Sequence, residues 1–155
     1  MKKLVLGIAF AAMAVFASCA QRPDPALNGT WVVIGGVEDM MGILGEIEWI
    51  FDDGNFENWT FGLQVQKGTY TTSNGTITMK VSHVDWTGGV VGLLDQAGLK
   101  EFIIAEEGHI SEELEELIDM VFAPSTSTYT VSDNIFTLTS TVDGETSTLT
   151  LRRVE

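Results

Sequence analysis

The stretch Thr69-Tyr70-Thr71-Thr72-Ser73-Asn74-Gly75-Thr76-Ile77-Thr78-Met79 decides how this chain is read. Asn74-Gly75 is a residue pair favoured by two-residue type I′ hairpins, because both central positions there take positive φ. A turn at that pair sets Thr72 opposite Ile77 and Tyr70 opposite Met79, all on one face. The same solution recurs 59 residues later in Thr128-Tyr129-Thr130-Val131-Ser132-Asp133-Asn134-Ile135-Phe136-Thr137-Leu138. Here Asp133-Asn134 sets Val131 opposite Phe136 and Tyr129 opposite Leu138. Asp143-Gly144 then sets Leu138 opposite Leu149 and Phe136 opposite Leu151. Turn residues chosen on backbone grounds thus gather apolar side chains on a common face. That is the pattern of antiparallel strands with one dry side and one wet side. Two copies are too few for a solenoid, so the echo reads as one hairpin used twice in one sheet.

Period two extends outward in both directions. Trp31 and Val33 alternate with Thr30 and Val32, and Ile47, Trp49 and Phe51 with Glu46, Glu48 and Asp52. Trp59, Phe61, Leu63 and Val65 share a parity, as do Ile77, Met79 and Val81. Eight strands follow, over residues 29–36, 46–52, 56–65, 67–73, 76–85, 126–132, 135–142 and 145–154. At Asp52-Asp53-Gly54-Asn55 a two-residue turn would face Trp49 with Asn58. A three-residue loop over 53–55 is therefore expected, with Asn55 left-handed, pairing Trp49 with Trp59 and Ile47 with Phe61. Residues 87–125 break the alternation. Gly88-Gly89 precede a weak helical stretch over 90–94. Ser111 caps a clearer helix with Glu112, Glu113, Glu115 and Glu116 in its first turns. Its apolar stripe is Leu114, Leu117, Ile118, Val121 and Phe122, and Pro124 marks its end. Residues 37–44 are a further short helical candidate.

The composition narrows the function. The 155 residues carry 22 acidic and 8 basic side chains, a formal net charge of −14. That balance excludes nucleic acid and other partners bound through phosphates. One cysteine excludes a disulfide framework and a cysteine-cluster zinc site. Met1-Lys2-Lys3 and the 13 apolar residues 4–16 read as a signal peptide over 1–18. Phe16-Ala17-Ser18-Cys19 resembles the lipobox of bacterial lipoproteins, with Phe16 where that motif usually has Leu, Val or Ile. The resemblance implies that the signal is cut before Cys19 and that its thiol carries a diacylglyceryl group, making a lipid bilayer the first partner. The alternative is an ordinary secretory signal beside an unrelated cysteine. Residues 19–28, with Pro23 and Pro25, read as a short extended lipidated tether, followed by one domain over 29–155.

Gly29-Thr30-Trp31 at the start of the first strand and Arg152-Arg153 at the end of the last resemble the lipocalin-like (calycin) barrels, particularly small bacterial lipocalin-like lipoproteins. The resemblance implies an all-β, eight-stranded antiparallel up-and-down barrel, here with a helical insertion over 87–125 between the fifth and sixth strands. It implies a floor in which Gly29 opens the strand, Trp31 lies across the barrel and an arginine covers the indole. Parity selects Arg153, which shares a face with Leu149 and Leu151. It further implies a lipid-anchored place in the bacterial cell envelope, facing periplasm or exterior. The inward candidates for a ligand site are Trp49, Trp59, Phe61, Tyr70, Met79, Val81, Tyr129, Phe136 and Leu138. An eight-stranded barrel either packs such residues solid or leaves room for one small ligand.

Catalytic chemistry is sparse. His83 shares the parity of Met79 and Val81 and reads as a buried, hydrogen-bonded histidine; His109 is the only other imidazole. No nucleophile elbow, His-Glu-x-x-His pair or phosphate loop occurs in the sequence. Asp52-Asp53-Gly54-Asn55-Phe56-Glu57 lacks EF-hand spacing and reads as an acidic hairpin tip, and Glu112–Glu116 as a solvated helix face. No catalytic residue, metal ligand or cofactor is therefore assigned. The expected function is binding of a small apolar or amphipathic ligand in the barrel, with the acidic insertion as a lid and Met40 and Met41 at its rim. The alternative is a filled barrel docking a basic envelope protein or acting as an inhibitor module. An enzyme would have to work with His83 and Asp85, the main chemical groups at inward positions.

Overall fold

The computed structural model describes residues 22–36, 46–142 and 144–155. Cys19, Met40, Met41 and the helical candidate over 37–44 lie outside them. Eight antiparallel strands form a closed barrel in sequence order. They are β1 (Gly29–Gly35), β2 (Ile47–Asp52), β3 (Asn55–Thr60), β4 (Leu63–Ser73), β5 (Thr76–Val84), β6 (Ser125–Ser132), β7 (Ile135–Val142) and β8 (Glu145–Arg153). The last strand closes on the first, with Trp31 opposite Arg153 and Val33 opposite Leu151. Two helices, α1 (Gln96–Glu107) and α2 (Glu112–Phe122), sit between β5 and β6. This is the expected eight-stranded antiparallel up-and-down barrel with a helical insertion between the fifth and sixth strands.

Three hairpin registers match the reading from the turn residues. Tyr70 faces Met79 and Thr72 faces Ile77. Tyr129 faces Leu138 and Val131 faces Phe136. Leu138 faces Leu149 and Phe136 faces Leu151. The β2–β3 corner is a correction. Asp53 and Gly54 both adopt positive φ (41° and 90°), so the turn has two residues and Asn55 already pairs with Asp52. Phe51 consequently meets Phe56, and Trp49 meets Asn58 rather than Trp59. The packing reason is aromatic: Trp49 stacks on both Phe51 and Phe56 at centroid distances of 6.0 and 5.7 Å. The next corner also differs. β3 ends at Thr60, and Phe61 (φ 53°) with Gly62 (φ 72°) makes the turn that pairs Thr60 with Leu63. The expected strand over 56–65 is thus two strand ends and a turn.

The end of the barrel bearing the Asp53-Gly54, Asn74-Gly75 and Asp133-Asn134 turns is plugged. Residues 22–28 are not an extended tether. Asp24 caps a 3-10 turn at Pro25–Leu27, and Leu27 is fully buried in the core. The Trp31 Nε1–H donates to the Leu27 carbonyl at 2.7 Å. Thr72 Oγ1 donates to the Arg22 carbonyl, and the Arg153 guanidinium donates to the carbonyls of Ala26 and Asn28. Proline suits such a turn because it needs no backbone N–H, so the prolines that suggested a spacer serve the plug instead.

At the opposite end, the insertion forms a second small core. Ile118 and Phe122 of α2 pack with Leu99 and Ile103 of α1 and with Val84 at the top of β5. Ser111 caps α2 as expected, accepting from the Leu114 N–H. The weak helix over 90–94 is not helical. Gly88, Gly89 and Gly92 all take left-handed φ, and the segment ends in a bridge between Val84 and Leu94. The first helix instead begins after Asp95, whose carboxylate accepts from the Gly98 N–H, and stops at left-handed Gly108.

Candidate ligand cavity

The lower half of the barrel is solid. Trp31, Phe51, Tyr70 and Phe136 are each at most 2% exposed and meet edge to face at centroid distances of 5.1 to 5.7 Å. The Arg153 guanidinium lies 4.3 Å from the Trp31 ring centroid, and Gly29 packs against Arg153 Nη1. Tyr129 joins the floor through its hydroxyl, which donates to Asp24 Oδ2 at 2.8 Å.

Above the aromatics the interior opens into a cavity of about 300 Å3. Trp49, Phe56, Met79, Val81 and Leu138 form its apolar wall from the barrel side. Met120, Val121 and Ala123, at the end of α2, lie over its mouth. Its polar groups are Gln66, Ser125, Ser127 and Ser140, and the Ser127 and Ser140 hydroxyls are hydrogen-bonded at 2.6 Å. A larger concavity of about 670 Å3 lies outside the barrel, against Thr69, Lys80, Ser82, Asp95, Gln96 and Lys100. Its walls mix both signs of charge, and Lys100 is already tied to Glu115 and Asp119. The cavity within the barrel is the better candidate because it lies among the inward-facing side chains, beneath the end of α2.

The residues singled out from the sequence divide three ways. Trp49, Met79, Val81 and Leu138 line the cavity. Tyr70, Tyr129 and Phe136 belong to the core beneath it. Trp59 and Phe61 are corrections. The two-residue β2–β3 turn gives the inward positions of β3 to Phe56 and Asn58, so Trp59 faces outward and its Nε1–H donates to Glu57 Oε2. Phe61 sits in the next turn and is 66% exposed. His83 is a third correction. Lys67 pairs with His83 and Gly68 with Val81, so Ser82 is an extra residue that rotates the strand by one position. His83 thereby joins the outer face with Lys67, its Nδ1 bonded to Ser82 Oγ, while Val84 turns inward opposite Gln66. Asp85 lies in the loop beyond. Burial pushes its carboxyl up, but hydrogen bonds from Thr87, Gly88 and Gly89 outweigh this and hold it below its ordinary value. The reading from parity missed Phe56, Gln66 and the three serines. Ser125 and Ser127 share the parity of Tyr129, and Ser140 that of Leu138, so the signal was present.

Both tyrosines of the chain are in this interior, and both phenols are pushed up. Burial is the main cause for each; nearby aspartates add to it, and the hydrogen bond to Asp24 adds further for Tyr129. The folded state therefore holds these protons more tightly than the unfolded chain. The stability this contributes is complete below the ordinary value of 10.0 and is lost as pH rises through the raised folded values. Ultraviolet titration is expected to show less than half of the tyrosinate signal at pH 10.0 in the folded protein. Half-ionisation there in the folded protein would contradict this placement of the two phenols.

No protein-family model matches the chain, and no curated protein matches it. Solved structures similar to the chain include the following three. The first is an uncharacterized protein from Bacteroides eggerthii DSM 20697, 13% identical over 83% of this chain and 99% of that one, with a TM-score of 0.44. The second is the REP1-NXSQ fatty acid transporter, 11% identical over 85% and 98%, with a TM-score of 0.43. The third is fatty-acid-binding protein 1 of Echinococcus granulosus, 15% identical over 85% and 100%, with a TM-score of 0.39. At these identities no residue role carries over.

Proposed function

We propose that this chain is an envelope lipoprotein, anchored through acylated Cys19, whose barrel binds one small apolar or amphipathic ligand. The observation that carries the binding reading is the cavity of about 300 Å3 at the end of the barrel opposite the plug. Its wall combines hydrocarbon and aromatic surface with four polar residues, the usual make-up of a small-molecule site. Holding such a ligand requires burial and orientation, which hydroxyls, an amide and an indole supply without a nucleophile or an acid–base pair. The filled-barrel alternative has less support, because the interior is filled only in its lower half.

Native mass spectrometry of protein purified from its own host tests the binding reading. A co-purifying small molecule is expected, and a Ser127→Phe variant, which places a ring in the cavity, is expected to lose it. A parent protein free of adducts that gains no thermal stability from any apolar compound would end the reading. The anchor is tested separately: Cys19→Ala is expected to abolish fatty-acid labelling and to move the protein from the membrane fraction to the soluble one.

A further inference from the structure

We infer that the cavity selects an uncharged ligand, a hydrocarbon or aromatic body carrying a hydroxyl, carbonyl or amide, and excludes carboxylates. This rests on the reading of the cavity as a ligand site and names the class of molecule it takes. The volume bounds the size: about 300 Å3, at roughly 30 Å3 for each water-sized group, holds a body of about ten heavy atoms.

The charge of the wall sets the class. Every polar residue lining the cavity is neutral: Gln66, Ser125, Ser127 and Ser140. The described cations are placed elsewhere. Arg153 is stacked on Trp31 in the floor, Arg22 is in the plug, Arg152 lies outside with Asn134 and Val154, Lys80 and Lys100 line the outer groove, and Lys67 is on the outer face with His83. Residues 37–45 of the sequence contain Glu38 and Asp39 but no Lys or Arg. A carboxylate entering the cavity would lose its hydration and gain no counter-charge, which costs several kcal/mol in a protein interior. The chain's net charge of −14 adds long-range repulsion. An ammonium group fares no better inside, since no carboxylate lines the wall among the described residues.

The polar groups that are present suit a neutral head. In the Ser127–Ser140 pair one hydroxyl donates to the other, leaving one proton and several lone pairs for a ligand. Gln66 brings two donors and an acceptor. Together they can both give and receive a hydrogen bond, as an alcohol or amide requires.

Three probes of equal chain length separate the possibilities: 1-decanol, decanoate and decylammonium, titrated at pH 8 with Trp49 fluorescence and calorimetry as readouts. The alcohol is expected to bind at least about tenfold more tightly than either ion, with the fluorescence change lost in Trp49→Phe. Gln66→Lys is expected to raise decanoate affinity about tenfold or more. Decanoate or decylammonium binding the parent as tightly as the alcohol would overturn the selectivity while leaving the cavity a ligand site. Binding of none of the three to the parent protein would count instead against the cavity reading itself. Because the panel is run on the parent protein, a Gln66→Lys variant that failed to fold would not spare the inference.

Discussion

Trp31→Ala is expected to lower the unfolding free energy by about 3–5 kcal/mol, the range for deleting a large aromatic from a packed core. Trp31 is fully buried, edge-on to Phe136 at 5.5 Å, and covered by the Arg153 guanidinium. Truncation leaves a void that a β-sheet floor has little freedom to collapse into. It also leaves the Leu27 carbonyl without its indole donor and removes the ring face on which the arginine lies. Trp31→Phe separates these effects. It keeps most of the apolar volume but not the donor, so a loss of about 1–3 kcal/mol is expected. Urea unfolding followed by circular dichroism measures both. A Trp31→Ala protein within 1 kcal/mol of the parent would mean that the floor is not the keystone of the fold.

The second large effect comes from adding a single methyl group. A Cβ on Gly68 would sit 2.1 Å from the Lys80 carbonyl oxygen and 2.7 Å from Phe56 Cε1. The first obstacle is backbone in the paired strand, and the second is a cavity-wall ring that is itself 1% exposed. Neither has room to move, so Gly68→Ala is expected to cost about 3 kcal/mol, the upper end for overpacking, and to disturb the bulge at Ser82. Gly62→Ala is the matched control. It has open space around it but a φ of +72°, so only backbone strain of about 1 kcal/mol applies. Equal melting temperatures for the two variants would show that the contact at Gly68 relaxes freely.

The turn residues carry the fold in the sequence, and apolar parity misleads where it competes with them. Asp53-Gly54 is the same kind of turn pair as Asn74-Gly75. Apolar parity disfavours it because it places Asn58 opposite Trp49, yet the protein makes that pairing and stacks Trp49 on Phe56. Phe61-Gly62 carries little turn signal, since a left-handed phenylalanine is unusual, and parity alone drew it inward. His83 was lost to a bulge, which shifts a face by one residue and leaves no mark in composition. The polar part of the cavity was hidden by a subtler bias. In Ser125-Thr126-Ser127-Thr128 the serines lie on the barrel's inner parity and the threonines pair strand to strand outside, yet a search for grease passes over serine. The plug was misjudged for a similar reason. Leu27 is a lone apolar residue in a polar, proline-bearing stretch, and that isolation was the clue to its burial.

On the lipoprotein reading, the docking of residues 22–28 would also set the molecule's posture. Thr72 grips the Arg22 carbonyl at the foot of the barrel, so only Ala20 and Gln21 separate that grip from Cys19. Even fully extended, three residue steps reach about 10 Å. On the lipoprotein reading, the protein then stands upright like a cup on a saucer, base against the lipid and rim turned to the water. Cargo would arrive from the aqueous phase or from another protein's hand, rather than by sliding sideways out of the leaflet beneath.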